Sequence, residues 1–329
     1  MQNILNDPDN AVDEMLEGFL KAHKDIVEIT ENSRVLKAKN IPPDKVGIIS
    51  GGGSGHKPAF IGYAGKNMCD AIAVGEMFSS PTPGAFLDAI KAADQGKGVA
   101  CLYGNYSGDN MNVKIAVRMA EKLGIKVKTV IANDDVASAP KEQREKRRGV
   151  AGEILMWKAA GAKAAKGADL DEVIRIAQKA IDHTRSIGVG LKPCILPAIG
   201  HPGFEIADGT MELGIGHHGE PGVAIIPTET ADKLAKRLLD IIIQDYPLNT
   251  KDETVVLISG LGATSVMELY ILYNEVEKLL QEKGIKVYRS LVGNYFTSLD
   301  MAGATLSIMK LDEELKELID YPVYTTGWK

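Results

Sequence analysis

The sequence predicts an α/β fold: two α/β lobes, each a largely parallel or mixed sheet flanked by helices. Three observations carry the prediction. Short apolar runs alternate with helical apolar periodicities in both halves of the chain, the pattern of βαβ units. The 329 residues suffice for about two domains. Several of the predicted strands run into glycine-rich loops, where folds of this class bind ligands.

The elements follow in chain order. Val46–Ser50 is a buried strand before a glycine turn, and Ala71–Val74 is a second short apolar run. Pro83–Gln95 is helical, with Phe86, Leu87, Ile90 and Ala93 on one stripe. Gly98–Tyr103 is a strand. Asp109–Leu123 is a helix whose apolar residues Met111, Ile115 and Met119 recur at helical spacing, with Gly124 just past its end. Ile125–Ala132 is a strand, and Gly149–Lys166 and Asp169–Ser186 are helices. Gly188–Pro193 has the composition of a hinge, which divides the chain into lobes 1–187 and 188–329. In the second lobe, Cys194–Ala198, Thr254–Ser259, Lys286–Val292 and Thr305–Leu311 read as strands. Thr228–Asp245 and Ser265–Lys283 read as helices.

Composition narrows the function classes. A net charge of −6 points neither to nucleic acid nor to an anionic membrane. The basic run Lys141–Arg148 is diluted by Glu142, Gln143 and Glu145 and reads as a solvated loop or helix end. Three widely spaced cysteines, Cys69, Cys101 and Cys194, make no disulfide framework and fit a reducing cytoplasm, with Cys101 in the core. Met1–Asn10 lacks the basic segment of a signal peptide. No apolar stretch approaches the ~18–20 residues of a membrane span.

Four loops carry the chemistry. The first, Ser50-Gly51-Gly52-Gly53-Ser54-Gly55-His56-Lys57-Pro58, lets backbone N–H groups approach a ligand. It is not a nucleotide loop: a Walker sequence needs Lys-Ser/Thr after the glycine, and a dinucleotide fingerprint needs glycine where His56 stands. In the second, Gly104-Asn105-Tyr106-Ser107-Gly108-Asp109, Asp109 is either a simple helix cap or a site base. The helix dipole would keep its carboxylate ionised and weakly basic. The third, Glu212–Gly222, holds His217 and His218 among glycines. Neighbouring residues point apart, so one of the two should face a pocket. A metal reading with Glu212, Glu220 or His201 lacks supporting motifs, and no metal is expected. The fourth, Ser259-Gly260-Leu261-Gly262-Ala263-Thr264-Ser265, is explained by close strand–helix packing.

Together the loops resemble the dihydroxyacetone kinase family in its stand-alone substrate-binding subunit. The resemblance runs over nearly the whole chain. It is carried by Gly51–His56, Phe78-Ser79-Ser80-Pro81, Asn105–Asp109, Arg148-Gly149-Val150-Ala151-Gly152, His218-Gly219-Glu220-Pro221-Gly222, Leu261-Gly262-Ala263-Thr264 and Gly293–Asp300. It implies that His218 adds through a ring nitrogen to a ketone carbon, giving a hemiaminal. It implies that His56 and Asp109 are the acid–base pair, and that Gly53, Ser54 and Gly55 contact substrate. It further implies no cofactor on this chain, with ADP or ATP and Mg on a nucleotide-binding kinase subunit that a phosphotransferase-system phosphocarrier recharges, and a homodimer.

The chain departs from the family at three positions: Lys57 for a common Glu, Gly104 for a common Lys, and His217 for a branched apolar residue. Relatives acting on tetruloses such as erythrulose also vary in these loops. Other relatives bind dihydroxyacetone as coactivators of a transcription regulator. His56 and Asp109 beside His218 favour a kinase, because a sensor needs only the anchor.

Overall fold

The computed structural model describes residues 3–328, so Met1 and Gln2 of the N-terminal segment lie outside it. The first part of the chain contains α1 (Ala11–Ala22), β1 (Val27–Ile29), β2 (Val35–Ala38), β3 (Gly47–Gly52), β4 (Ala71–Val74), α2 (Pro83–Ala93), β5 (Val99–Gly104), α3 (Ser107–Lys122), β6 (Val127–Ala132), α4 (Glu153–Ala165) and α5 (Leu170–Asp182). The second part contains β7 (Thr184–Lys192), β8 (Thr210–Leu213), β9 (Ala224–Pro227), α6 (Ala231–Asp245), β10 (Glu253–Gly260), α7 (Val266–Glu282), β11 (Lys286–Gly293), β12 (Ala302–Leu311) and α8 (Glu313–Asp320).

These strands form two mixed six-stranded sheets, ordered β1-β2-β4-β3-β5-β6 and β11-β10-β12-β7-β8-β9. In the first, β4, β3, β5 and β6 are parallel. Strands β3, β4 and β5 are buried at every position, as helix-covered parallel strands require. The second sheet is antiparallel except where β10 meets β11. Helix α2 shows how the sequence starts such an element. The Thr82 hydroxyl accepts from the Ala85 N–H, Pro83 opens the first turn, and Phe86, Leu87, Ile90 and Ala93 face the core.

Four sequence expectations are corrected. The stripe on α3 faces solvent: Met111 is 62% exposed, and Ile115 and Met119 are also exposed, while Val113, Ala116 and Ala120 are buried. The cause lies at the helix start. Asp109 accepts from the Ser80 hydroxyl at 2.8 Å and the Asn112 amide donates to the Pro81 carbonyl at 2.8 Å. Residues 109, 112, 113, 116 and 120 share one helical face, so these two bonds turn the small residues inward. The proposed hinge lies almost wholly inside β7, paired between β12 and β8. Its glycines serve close packing, since a Cβ on Gly188 would stand 2.9 Å from the Ile215 carbonyl oxygen. Cys194–Ala198 is not a strand: Ile195 makes one isolated bridge with Pro202, and Pro193 and Pro197 supply no backbone donors. The basic run is solvated only as far as Lys146. Arg147 is buried, where it and Arg185 both hold Asp245, at 2.6 Å each.

The two sheets share a core. Phe60 and Trp157 from the first part pack with Phe296 from the second, their ring centroids 5.5 to 6.5 Å apart. Helix α8 and Trp328 close over α4. The loops at the carboxyl ends of β3, β5 and β11 therefore meet across this shared core. All three cysteines are free and buried. Among the described residues no helix is long and apolar enough to cross a membrane.

Candidate functional site

A small cavity, about 20 Å3, lies at this interface, lined by Gly51–Gly53, His56, Phe60, Gly104, Tyr106, Asp109, Glu153, His217, His218 and Phe296. Larger grooves exist elsewhere, but among the described residues this cavity gathers the titratable side chains of both lobes. Its first wall is the loop after β3. The glycines there make room for the protein's own aromatic rings. A Cβ on Gly52 would meet the Phe60 ring at 2.1 Å, and one on Gly55 would meet the Phe78 ring at 2.2 Å. The Ser54 N–H donates to the Glu76 carbonyl and its hydroxyl to the Gly75 carbonyl. Gly53 borders the cavity, while Ser54 and Gly55 line the groove outside it.

The motif ending in Asp300 holds that loop in place. The Thr297 N–H donates to the His56 carbonyl and the Leu299 N–H to the Gly55 carbonyl. The Thr297 carbonyl in turn lies 2.8 Å from Nδ1 of His56. A carbonyl only accepts, so this Nδ1 carries the hydrogen and Nε2 holds the lone pair. His56 is 2% exposed and stacks on Phe78. Burial, then the charges of His218 and His217, push its pKa well below the ordinary range, against the Thr297 bond.

His218 comes from the opposite wall. Its ring stands edge-on to Phe78 and Tyr106, at 5.1 and 4.9 Å between centroids. Its Nδ1 lies 2.8 Å from Oε1 of Glu220, and its backbone N–H donates to Oε2 at 2.9 Å. Burial pushes the Glu220 carboxyl up, but the hydrogen bonds and charge of His218 outweigh it and hold the pKa at about 2. A carboxylate so stable keeps the Nδ1 hydrogen and leaves Nε2 facing the cavity. That Nε2 is 3.0 Å from Nε2 of His56. Both Nδ1 atoms are committed as donors, so the contact closes only with one proton between the rings.

Asp109, in the first turn of α3, lines the same cavity. Burial raises its carboxyl to about 6, although the Ser80 hydrogen bond and the charge of His218 oppose the shift. Desolvation thus overrides the helix dipole, which had suggested a weaker base. The adjacent histidines both reach the cavity. His217 is 2% exposed, and burial pushes its pKa down to about 3. Of the three departures from the family pattern, Gly104 and His217 line the cavity and Lys57 lies in the outer groove.

Several residues of the site had no role in the sequence reading. Glu220 figured only as a metal candidate, yet it is committed to His218. Glu212 accepts from the Gly222 N–H, and His201 is exposed. Among the described residues no three His, Cys, Asp or Glu side chains are grouped to hold a metal. Arg148 crosses between the lobes: its Nε donates to Asp135 and its Nη2 to the Gly214 carbonyl, at 2.9 and 2.8 Å. Glu153, at the start of α4, is 1% exposed, and neither of its oxygens has a hydrogen-bond partner. Burial, then the charges of Asp134 and Asp109, push its carboxyl well above the ordinary range.

Comparison with known proteins gives a consistent assignment. Residues 17–327 match the Dak1 domain model. The chain is 44% identical, over the full length of both, to the PTS-dependent dihydroxyacetone kinase 1, dihydroxyacetone-binding subunit DhaK of Listeria innocua serovar 6a. It is 40% identical to a D-erythrulose kinase of Mycolicibacterium smegmatis, covering all of this chain and 57% of that kinase. The solved structure of the dihydroxyacetone kinase operon co-activator Dha-DhaQ superposes with a TM-score of 0.90 at 32% identity, over 96% of this chain and 98% of that one. The chain therefore belongs to the dihydroxyacetone kinase family, as a member built on the Dak1 domain.

Proposed function

We propose that the chain captures a short ketose, dihydroxyacetone by preference, on His218 and presents its hydroxyl for phosphorylation by a nucleotide-bearing partner subunit. The observation that carries this reading is the pairing of His218 with His56. Each ring has its Nδ1 hydrogen fixed by an acceptor, and the two Nε2 atoms face each other at 3.0 Å.

The steps follow from that pairing. The shared proton moves onto His56. The freed Nε2 lone pair of His218 attacks the ketone carbon, and a C–N bond forms. The carbonyl π pair passes to oxygen, which takes the proton from His56 and becomes a hydroxyl. A histidine whose pKa burial has lowered gives up that proton readily. Glu220 stabilises the ring while it bears positive charge. Capture of this kind requires a carbonyl, so glycerol is not held. Fixing the reactant can supply about 7–11 kcal/mol of the barrier. In phosphoryl transfer Asp109 accepts the proton of the attacking hydroxyl, a role worth about 10²–10⁴-fold. Its pKa near 6 suits a base at neutral pH.

The nucleotide, ADP or ATP with Mg, belongs on the partner. The loop after β3 supports this assignment, because Phe60 and Phe78 fill the space that a phosphate cradle would leave open. The D-erythrulose kinase extends well beyond its match to this chain. A cytoplasmic homodimer, whose nucleotide-bearing partner subunit is recharged by a phosphotransferase-system phosphocarrier, completes the reading, in keeping with the PTS-dependent relative.

Reconstitution with the kinase subunit and either dihydroxyacetone or erythrulose is the test. Phosphorylation of dihydroxyacetone at the higher kcat/KM is expected. Preference for erythrulose would reassign the substrate. Ketose binding without turnover would favour a coactivator like the structural relative.

A further inference from the structure

Glu153 stands apart from the machinery described so far. Its carboxyl lies in the wall of the cavity with Gly104, Tyr106, Asp109 and His218. The side chain is 1% exposed, and both of its oxygens are without hydrogen-bond partners. Leaving a buried polar group without a partner costs stability. The backbone around it is cut away to admit it. A Cβ on Gly104 would come 2.5 Å from Oε1, and one on Gly149 would come 3.0 Å from the same atom. Gly149 belongs to the turn that leads into α4, so the chain enters the helix in a way that seats this carboxyl beneath β5.

We propose that Glu153 is a specificity-determining residue that binds a hydroxyl of the ketose other than the one Asp109 deprotonates. The inference rests on the ketose-capture reading above. Burial favours the neutral form of the carboxyl, and in that form it offers one O–H donor and one carbonyl acceptor. An alcohol hydroxyl accepts from the first and donates to the second. A methyl group in its place leaves both oxygens unpaired, and sites built to bond a hydroxyl reject analogues that lack one.

Isothermal titration of the whole chain with dihydroxyacetone and with hydroxyacetone, which lacks one hydroxyl, tests this. Wild type is expected to bind dihydroxyacetone at least about tenfold more tightly. Glu153→Met should narrow the gap to about threefold or less, mainly by weakening dihydroxyacetone, while Glu153→Gln keeps most of it. In the ligand-free protein Glu153→Met should also raise Tm by about 2–4 °C, because an orphaned polar group is removed. Should that variant fail to fold, Gly104→Ala displaces an intact carboxyl and should narrow the gap in the same way. Equal weakening of both ketones, an unchanged gap in Glu153→Met or Gly104→Ala, or no gap in wild type overturns the assignment. Wild type that binds neither ketone overturns the capture reading itself.

Discussion

Two carboxyl groups act on His218, Asp109 in the cavity wall and Glu220 hydrogen-bonded to the ring, and their pKa values depart from the ordinary range in opposite directions. Asp109, on the first-lobe wall, is raised to about 6, because burial outweighs the Ser80 hydroxyl, the charge of His218 and its own backbone N–H. Glu220, bound to His218 in the second lobe, is held at about 2 despite burial, because the His218 ring and its backbone N–H both bind it. Residue type and burial do not separate them; hydrogen-bond donors do. The same carboxyl group takes up a proton more readily where donors are few and stays ionised where they are plentiful. Under the proposed function, the His218–Glu220 side holds the substrate and the Asp109 side moves its proton.

This division of labour makes each wall testable by itself. Removing the anchor should have the largest effect. His218→Asn is expected to lose ketone capture and to lower phosphorylation by at least about 10⁴-fold, since positioning is lost altogether; equilibrium titration and the reconstituted assay read the two effects separately. Asp109→Asn should lower kcat by about 10²–10⁴-fold and leave ketose affinity within a few fold, so a parallel loss of affinity would erase the contrast between the walls. Glu220→Gln weakens the hold on the His218 ring, and ketose affinity should fall about tenfold with a smaller change in kcat.

The pH dependence sharpens the contrast further. With Asp109 near 6, kcat/KM should rise about tenfold per unit below pH 6 and level off above it. Asp109→Asn should remove that limb. The smallest expected effect is on stability. The folded pKa of Asp109 exceeds its ordinary value, so the folded state binds more protons between about pH 4 and 6. Its contribution is fully present below that window and is lost as pH rises through it. Urea titrations across the window should show a shallower decline for Asp109→Asn than for wild type.

Much of the fold was legible in the sequence where periodicity and burial coincide. The run Ala71–Val74 is β4 residue for residue, and the helix expected over Pro83–Gln95 is α2 to within two residues. Legibility failed where the pattern had another cause. On α3 the large apolar residues face solvent, because two polar bonds at the helix start choose the buried face. Strand β7 was split between a helix and a hinge, because its glycines make room for Ile215. Short strands β1, β2, β8 and β9 were not placed, being too brief to show a period; helices α1 and α8 were missed although each carries one apolar face, Val12 and Leu16 in α1 and Leu315, Leu318 and Ile319 in α8. At the site, glycine-rich loops and histidines drew attention to the right segments. The donors that set each pKa are contributed by residues far away in sequence, as Thr297 is for His56. Glu153, in an alanine-rich helix, reads as an ordinary acidic residue until the fold seats it beneath Gly104.

The central claim is that Nε2 of His218 bonds to the ketone carbon. Titrating the protein with dihydroxyacetone labelled with carbon-13 at the carbonyl, and recording carbon NMR, tests it directly. The account predicts a protein-bound resonance moved from the ketone range to that of a tetrahedral carbon bearing nitrogen and oxygen, and absent in His218→Asn. A bound ligand that keeps its ketone resonance would contradict it.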